Sequence, residues 1–515
     1  MRLQGFFAKA IVLSAALGGS FLAAPASRAS SAPEGDIPKH PKDLVFPEFR
    51  FTPPEASAYR RALRAESGPL AREIPVYVVE DHELPLVDLR VYVRAGTYLD
   101  PPGKEGLADL AAALLRLGGT EKQSPDEFDE ELEFLAAIVA CAAQGTEASA
   151  SFNCLAKDRA RVLDLFFDML RSPRFEPARL ELRKSQILQT LARRNDDTAA
   201  IESREWRNLL RGRGFFLADR TTKRSIEGIS REDLIAFHRT YFHPANFVIA
   251  VSGDVRTEEI LEALRRKLSS WPSDPNARAV APDPPRPDHA IVPGVYLVDK
   301  PDVNQGRVSI GHLSATRDVP EHHALLVMNH ILGGGGFTSR IMGRVRSDLG
   351  LAYTAASRFD FGVYFPGDFR VYFQSKDASV VDAIGVALEE IRRIRESDVS
   401  AEELATAVSY GIDAFPRVFA DARRIAETFA MDELTRRDPS FWKAYRDKLR
   451  GVTAADVRRA AEKYLDPQGL VVLIVGNASA ILAGDARQKL EGWLGERGRV
   501  RKIPLPDPLT LAYPE

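Results

Sequence analysis

Two stretches decide the fold, TYFHPANFVIAVSGD (Thr240 to Asp254) and KYLDPQGLVVLIVGN (Lys463 to Asn477). Each finishes a helix, turns at a proline and enters a β-branched run closed by glycine. Tyr241, Pro244 and Gly253 correspond to Tyr464, Pro467 and Gly476, all displaced by 223 residues. The helix caps upstream, Ser230 with Asp233 and Thr453 with Asp456, share that offset, and Trp271 matches Trp493 within one residue. Further upstream FNCLAKD (Phe152 to Asp158) resembles VYFQSKD (Val371 to Asp377). Chance supplies one such pair. A constant offset across caps, turn and strand end indicates a duplicated domain.

Working outward, the first copy reads as strands at Ile74 to Asp81 and Val87 to Gly96, then a helix over 106–117. Ser124-Pro125-Asp126-Glu127 is a capping box that opens a helix running through Ala136. A hairpin between Cys141 and Cys154 follows, then helices at 158–171 and 177–194 and an amphipathic helix reaching Trp271. Helices on a mostly antiparallel sheet make an α+β arrangement. Seven prolines from Pro272 to Pro293 mark a stiff linker. The expected organisation is an extended arm over 30–70, domains over 71–271 and 294–505, the linker over 272–293 and a tail over 506–515.

The 515 residues, 45% hydrophobic and 28% charged, suit a soluble chain of several domains. A net charge of −2 gives no electrostatic reason to expect nucleic acid or an anionic membrane. Arg2 and Lys9 precede an apolar run from Ala10 to Ala24 and small-residue cleavage patterns, so 1–29 reads as a signal peptide. No later apolar run reaches the ~18 residues that a span needs, so the expectation is a periplasmic or secreted protein without a stable membrane anchor. Two cysteines exclude a cysteine-rich metal site. A hairpin turn at Gln144-Gly145 sets Cys141 against Glu147 or Ala148 rather than Cys154, which predicts two free thiols.

GLADLAAALLRLGGT, Gly106 to Thr120, places Leu107, Leu110, Ala111, Leu114 and Leu117 on one apolar helical face. With its upstream context AGTYLDPPGKEGLA it resembles the active-site helix of the pitrilysin/insulinase zinc peptidases, the inverzincins. So do GGGGFTSRIMGRVRSDLGLAY, GVTAADVRRAAEKYLDP and the two joined halves, over about Phe46 to Leu505. The resemblance implies two pitrilysin-like domains of the family's half-length branch. In that family the helix carries His-x-x-Glu-His, with a glutamate further along as third zinc ligand. The matching positions here are Asp109, Ala112, Ala113 and, in RKSQILQTLARR, Thr190. Alanine cannot ligate and nothing remains to act as base, so no metal site and no autonomous zinc hydrolysis are expected in this chain.

Other residues offer no substitute centre. His322, His323 and His330 fall on a predicted helix without an intervening glutamate, and His238 and His243 surround a helix end. Solvated or capping histidines are the expectation. His40, His82, His289 and His312 are scattered and unpaired. Neither a G-x-S-x-G elbow nor a Walker-type loop is present. Gly333, Gly334, Gly335 and Gly336 read as a helix terminus. The resemblance offers a second reading of them as a substrate-binding loop, similar to that of the zinc-less subunit of the mitochondrial processing peptidase.

Arg346 and Tyr353, seven residues apart in RSDLGLAY, match the family's R-x-x-x-G-L-A-Y segment. There the pair reaches a zinc centre and stabilises charge developing on the substrate carbonyl. The bare alternative is a surface cation and a strand tyrosine. A lost metal centre beside a retained pair implies the zinc-less subunit of a two-component peptidase, not catalytic alone. Zinc would belong to a homologous partner, and peptides or unfolded segments would be the ligands. A peptide-binding or scaffold protein of the same fold is the alternative.

Overall fold

The computed structural model describes residues 51–64, 73–269, 271, 281–493 and 499–514. The predicted signal peptide, most of the arm and 272–280 of the linker lie outside them. Period-2 burial organises the strands. The first half holds β1 (Arg60–Leu63), β2 (Ile74–Glu80), β3 (Leu86–Val93), β4 (Ile138–Gln144), β5 (Glu147–Leu155) and β6 (Phe247–Gly253). The second holds β7 (Gly294–Asp299), β8 (Gln305–Leu313), β9 (Ala352–Phe359), β10 (Asp368–Lys376), β11 (Val471–Gly476) and β12 (Val500–Ile503). The helices that position the site are α1 (Leu107–Leu117), α2 (Pro125–Phe134), α3 (Arg159–Arg171), α4 (Pro177–Ala192), α5 (Thr198–Arg211), α6 (Arg231–Tyr241), α7 (Thr257–Ser269), α8 (His322–Asn329), α9 (Val380–Glu396), α10 (Ala401–Ala414), α11 (Ala422–Thr435), α12 (Phe441–Arg450) and α13 (Ala454–Tyr464).

Two six-stranded sheets result, in orders β1-β2-β6-β3-β5-β4 and β12-β7-β11-β8-β10-β9. Without the first strand of each order, the second sheet repeats the first strand for strand. That is the duplication seen in sequence, in an α+β fold with mostly antiparallel pairing. The exceptions are β2 with β6, and β7 with both β11 and β12, which run parallel. The sixth strands are not equivalent, since β1 precedes its sheet while β12 follows its own. The capping boxes at Ser124, Ser230 and Thr453 all form.

Each half lends the other a helix. On β11, Val472 and Ile474 face the second half's own core, while Val471, Leu473 and Val475 pack on Ile201, Trp206 and Leu210 of α5 from the first half. Glu202 of α5 accepts from Ser309 at 2.5 Å and pairs with Arg370 at 2.9 Å. Trp206 donates its indole N–H to Asp368 at 2.9 Å. In return α11 of the second half covers the outer face of β6 and β2. Glu427 pairs with Arg90 at 2.9 Å, and Glu433 accepts from Tyr77 at 2.8 Å and from Arg60 at 3.1 Å. Strands buried on both faces are continuously apolar, which is why FVIAVSG and VVLIVG do not alternate. Both halves belong to one compact unit, Thr52–Glu515.

Several expectations are corrected. The hairpin turns at Gly145-Thr146, so Cys141 lies opposite Ala150; the shifted turn moves the register, and both cysteines are free. Part of the extended arm, Arg60–Leu63, is a paired strand with Leu63 fully buried, because Arg60 is anchored by Glu73 and Glu433. The tail is tied down: Tyr513 donates to Glu205 at 2.8 Å and Leu509 packs on the first core. His322 and His323 are buried rather than solvated, His322 stacking on Phe361 at 4.1 Å and His323 lying beside Phe441 and Tyr445. His238 is buried too, bonded to the Leu170 carbonyl at the end of α3. Three histidines read as unpaired have partners: His312 accepts from the Asp466 amide at 3.0 Å, His82 meets Asp254 at 2.7 Å, and His289 meets the Leu209 carbonyl at 3.2 Å.

Burial holds His238, His322 and His323 down to about 4, well below the ordinary imidazole value. The unfolded chain therefore takes up these protons first, and stability falls as pH drops from about 6.5 to about 4, by at most about 1.4 kcal/mol per pH unit per histidine. Urea midpoints across this range should decline towards acid, with a shallower slope in His323→Phe; an unchanged slope in that variant would contradict the assignment. Trp206→Ala should cost about 3–5 kcal/mol. It should also speed amide exchange in β11, and an unaltered urea midpoint would show that the lent helix adds nothing.

Candidate functional site

The N-terminus of α1 is built by Asp100, whose carboxylate accepts from the amides of Gly106 at 2.9 Å and Ala108 at 2.8 Å. This satisfies two of the amides that a helix start leaves open. Burial nevertheless pushes the Asp100 carboxyl up to about 6. The inner face of α1 packs with Leu107, Leu110, Ala111 and Leu114 in the first core, but Leu117, at the end of the same predicted stripe, is 40% exposed as the helix runs out at Gly118.

The four degenerate metal-motif positions converge on this helix and on α4, but not as ligands. Ala112 is 1% exposed and part of the core, with Ala113 beside it. Asp109 opens into a cleft of about 540 Å³, and Thr190 lines the opposite wall. The surrounding protein pushes the Asp109 carboxyl up from its ordinary value, against the opposing charge of Arg183. Thr190 spends its hydroxyl on its own helix, donating to the Gln186 carbonyl at 3.1 Å. Among the described residues no group of three His, Cys, Asp or Glu side chains is placed to hold a metal ion. What the cleft offers is a polar wall: Arg183, Gln186 and Thr190 follow one another at helical spacing on α4, facing Asp109 and Glu105 from the α1 side.

Arg346 and Tyr353 meet at the far edge of the second sheet. Arg346 sits in a wide helical turn over Gly343–Asp348, and Gly350 at φ +62° ends it so that the chain can reverse into β9. Tyr353, the second residue of β9, is 80% exposed. The Arg346 guanidinium carbon lies 4.7 Å from the Tyr353 ring centre and 4.7 Å from that of Phe337, itself 68% exposed. The cation is thus held between two aromatic faces, worth about 0.5–1 kcal/mol each at exposed sites. No carboxylate pairs with Arg346 among the described residues. The cleft beneath α1 is lined by residues between Thr97 and Ile226, so the pair is not part of it.

The glycine run leads from α8 to Phe337. The end of the α8 helix continues as a wide turn over His330–Gly334, followed by a tight turn over Gly336–Thr338 that presents Phe337 to Arg346. At Gly333 a Cβ would stand 2.4 Å from the Ser357 amide, so close packing on β9 requires glycine there. Gly334 and Gly335 press equally closely on Asn329 and His330, while Gly336 faces open space. Sequence reasoning missed Phe337, although its place immediately after four glycines was a signal. It also missed the arginines of the cleft, of which only Arg183 stood in a quoted motif.

Comparison with known proteins agrees with this picture. The sequence profile of the insulinase peptidases (Peptidase family M16) matches residues 76–210, and that of the Peptidase M16 inactive domain matches 228–410. A Helicobacter pylori protein named non-peptidase homolog YmxG is 24% identical over 67% of this chain and 78% of its own. An uncharacterized zinc protease of Streptomyces coelicolor is 24% identical over 62% of this chain and 69% of its own. The crystal structure of a peptidase M16 inactive domain from Pseudomonas fluorescens superposes with a TM-score of 0.71 at 23% identity, covering 81% of this chain and 98% of that one. With both halves matched by profiles of one family, one of them that of its inactive domain, and a relative named a non-peptidase homolog, the chain belongs to the M16 (insulinase/pitrilysin) peptidase family as a zinc-less member.

Proposed function

We propose that this chain is the zinc-less subunit of an exported two-component M16 peptidase. It lends substrate binding and oxyanion stabilisation to a zinc-bearing homologue that cleaves peptides. The observation that carries this reading is Arg346, stacked between Phe337 and Tyr353 on an exposed sheet edge with no ion pair among the described residues. A guanidinium held in place but left without a counter-charge is free to meet charge developing on a carbonyl supplied from outside. The edge strand β9 that bears Tyr353 can also pair with an extended peptide, which recognises backbone rather than sequence. In this arrangement Gly333 to Gly336 shape the wall that carries Phe337. Export rests on the basic and apolar pattern of the first 29 residues. No helix among the described residues is long and apolar enough to cross a membrane.

A scaffold or peptide-binding role without catalysis is the second reading, favoured by the name of the Helicobacter pylori relative. Assay separates the two. The lone chain should not hydrolyse peptides, whereas its complex with a zinc-bearing homologue should. Each of Arg346→Ala and Tyr353→Phe should lower the complex's kcat by about 10²–10³-fold, the usual loss for one oxyanion donor. Full activity of the double variant in the complex would leave the scaffold reading. The purified chain should also carry far less than one zinc per molecule, and EDTA should leave its melting temperature unchanged; a fall on chelation would reveal a structural metal.

A further inference from the structure

The cleft that α1 shares with α4 and α5 contains an imbalance that its lost metal chemistry does not explain. Arg183 of α4, Arg207 of α5 and Arg220 of the following loop all line it. None of the three forms an ion pair among the described residues. Each makes a single neutral hydrogen bond: Arg183 to Gln186 at 3.3 Å, Arg207 to Ser203 at 3.0 Å and Arg220 to the Thr97 carbonyl at 3.4 Å. The Nε atoms of Arg183 and Arg207 are buried without an acceptor. Burial lowers the affinity of Arg207 for its own proton; Asp219 works against this, and Arg211, Arg370 and Arg204 add to it.

The acidic residues of the same walls are, by contrast, mostly engaged. Asp100 caps α1, Glu105 accepts from the Gly103 amide at 3.0 Å, and Asp219 pairs with Arg194 at 3.5 Å behind the cleft. Asp109 alone has no bonded partner, and the protein around it disfavours its charge. Asp109, Asp219 and Asp100 act on Arg183, Arg207 and Arg220 only from beyond ion-pair distance among the described residues, so partly desolvated guanidiniums with unfilled donor positions face a cavity of about 540 Å³. Their planar donor sets suit a group with two or three oxygens.

We infer that the cleft is a binding site for a small oxyanion, a carboxylate or phosphate, held between Arg183, Arg207 and Arg220. Thr190, Thr97 and Thr221 line the same space and supply neutral polar groups around it. Gln144 and Gly145, at the end of the edge strand β4, form part of the rim. A peptide entering along that edge would bring its C-terminal carboxylate to the arginines, and free phosphate would reach them directly. The site lies entirely in the first half and uses neither Arg346 nor a partner's metal.

Calorimetric titration of the full chain tests this with three probes: inorganic phosphate, a short acetylated peptide with a free C-terminus, and the same peptide amidated. Phosphate or the acid-ended peptide should bind, more weakly as salt is raised, and the amidated peptide should bind at least about tenfold more weakly than the acid. Whichever of the first two binds identifies the source of the oxyanion. Arg207→Gln should weaken that binding at least about tenfold. Arg220→Gln, on the loop, should do the same and serves if Arg207→Gln melts early. Failure of phosphate and acid-ended peptide alike to bind overturns the inference. So does equal binding of acid and amide, or unchanged affinity in folded arginine variants. The titration needs neither a partner nor peptidase activity, so its failure leaves the heterodimer reading standing, and the converse holds.

Discussion

The exchange of α5 for α11 is the interaction on which the rest of the molecule depends. Neither sheet has enough helix in its own half to cover both faces, and each borrows the missing layer from the other. The borrowed surfaces are apolar at the strands, with Ile201, Trp206 and Leu210 on β7 and β11, and ionic where they meet the outer strands. Glu202 and Asp368 are surrounded by Arg370, Arg211, Ser309 and Trp206, so their charges are compensated where they are buried. Removing one member would leave another charge exposed to a low-dielectric interior. Such a network ties the halves in one geometry more firmly than apolar contact alone would.

That geometry separates the two chemical features of the chain. The cleft over α1 is made wholly of first-half residues, and α5 serves it as well as the second sheet, with Arg207 towards the cleft and Trp206 towards β11. The Arg346 stack stands on the edge strand of the other sheet. Ala112, on the inner side of α1, packs in the core, where an unpartnered carboxylate would be costly. A wide helical turn, a glycine at positive φ and two exposed rings maintain the Arg346 geometry, although nothing in the hydrophobic core requires those rings to be exposed.

Local signals were legible wherever neighbours in sequence are neighbours in space. The caps at Ser124, Ser230 and Thr453, the apolar stripe of α1 as far as Leu114 and the equivalent strands β6 and β11 formed as read. Reading failed where the decisive partner is remote. Arg60–Leu63 is a strand because Glu433 holds it from 373 residues away. The hairpin between Cys141 and Cys154 moved its turn by one residue, which changed every cross-strand partner. Polarity misled at His322 and His323, whose rings pack among Phe361, Phe441 and Tyr445.

By itself, the sequence determined the duplication, the α+β class and the family, because these rest on residue identity and constant spacing. Only the tertiary structure decided that Phe337 completes the Arg346–Tyr353 stack, that α5 and α11 trade places, and that three arginines without a direct ion pair among the described residues share one cleft. Those facts depend on which side chains meet across the fold, and spacing along a chain carries no information about charges brought together by packing.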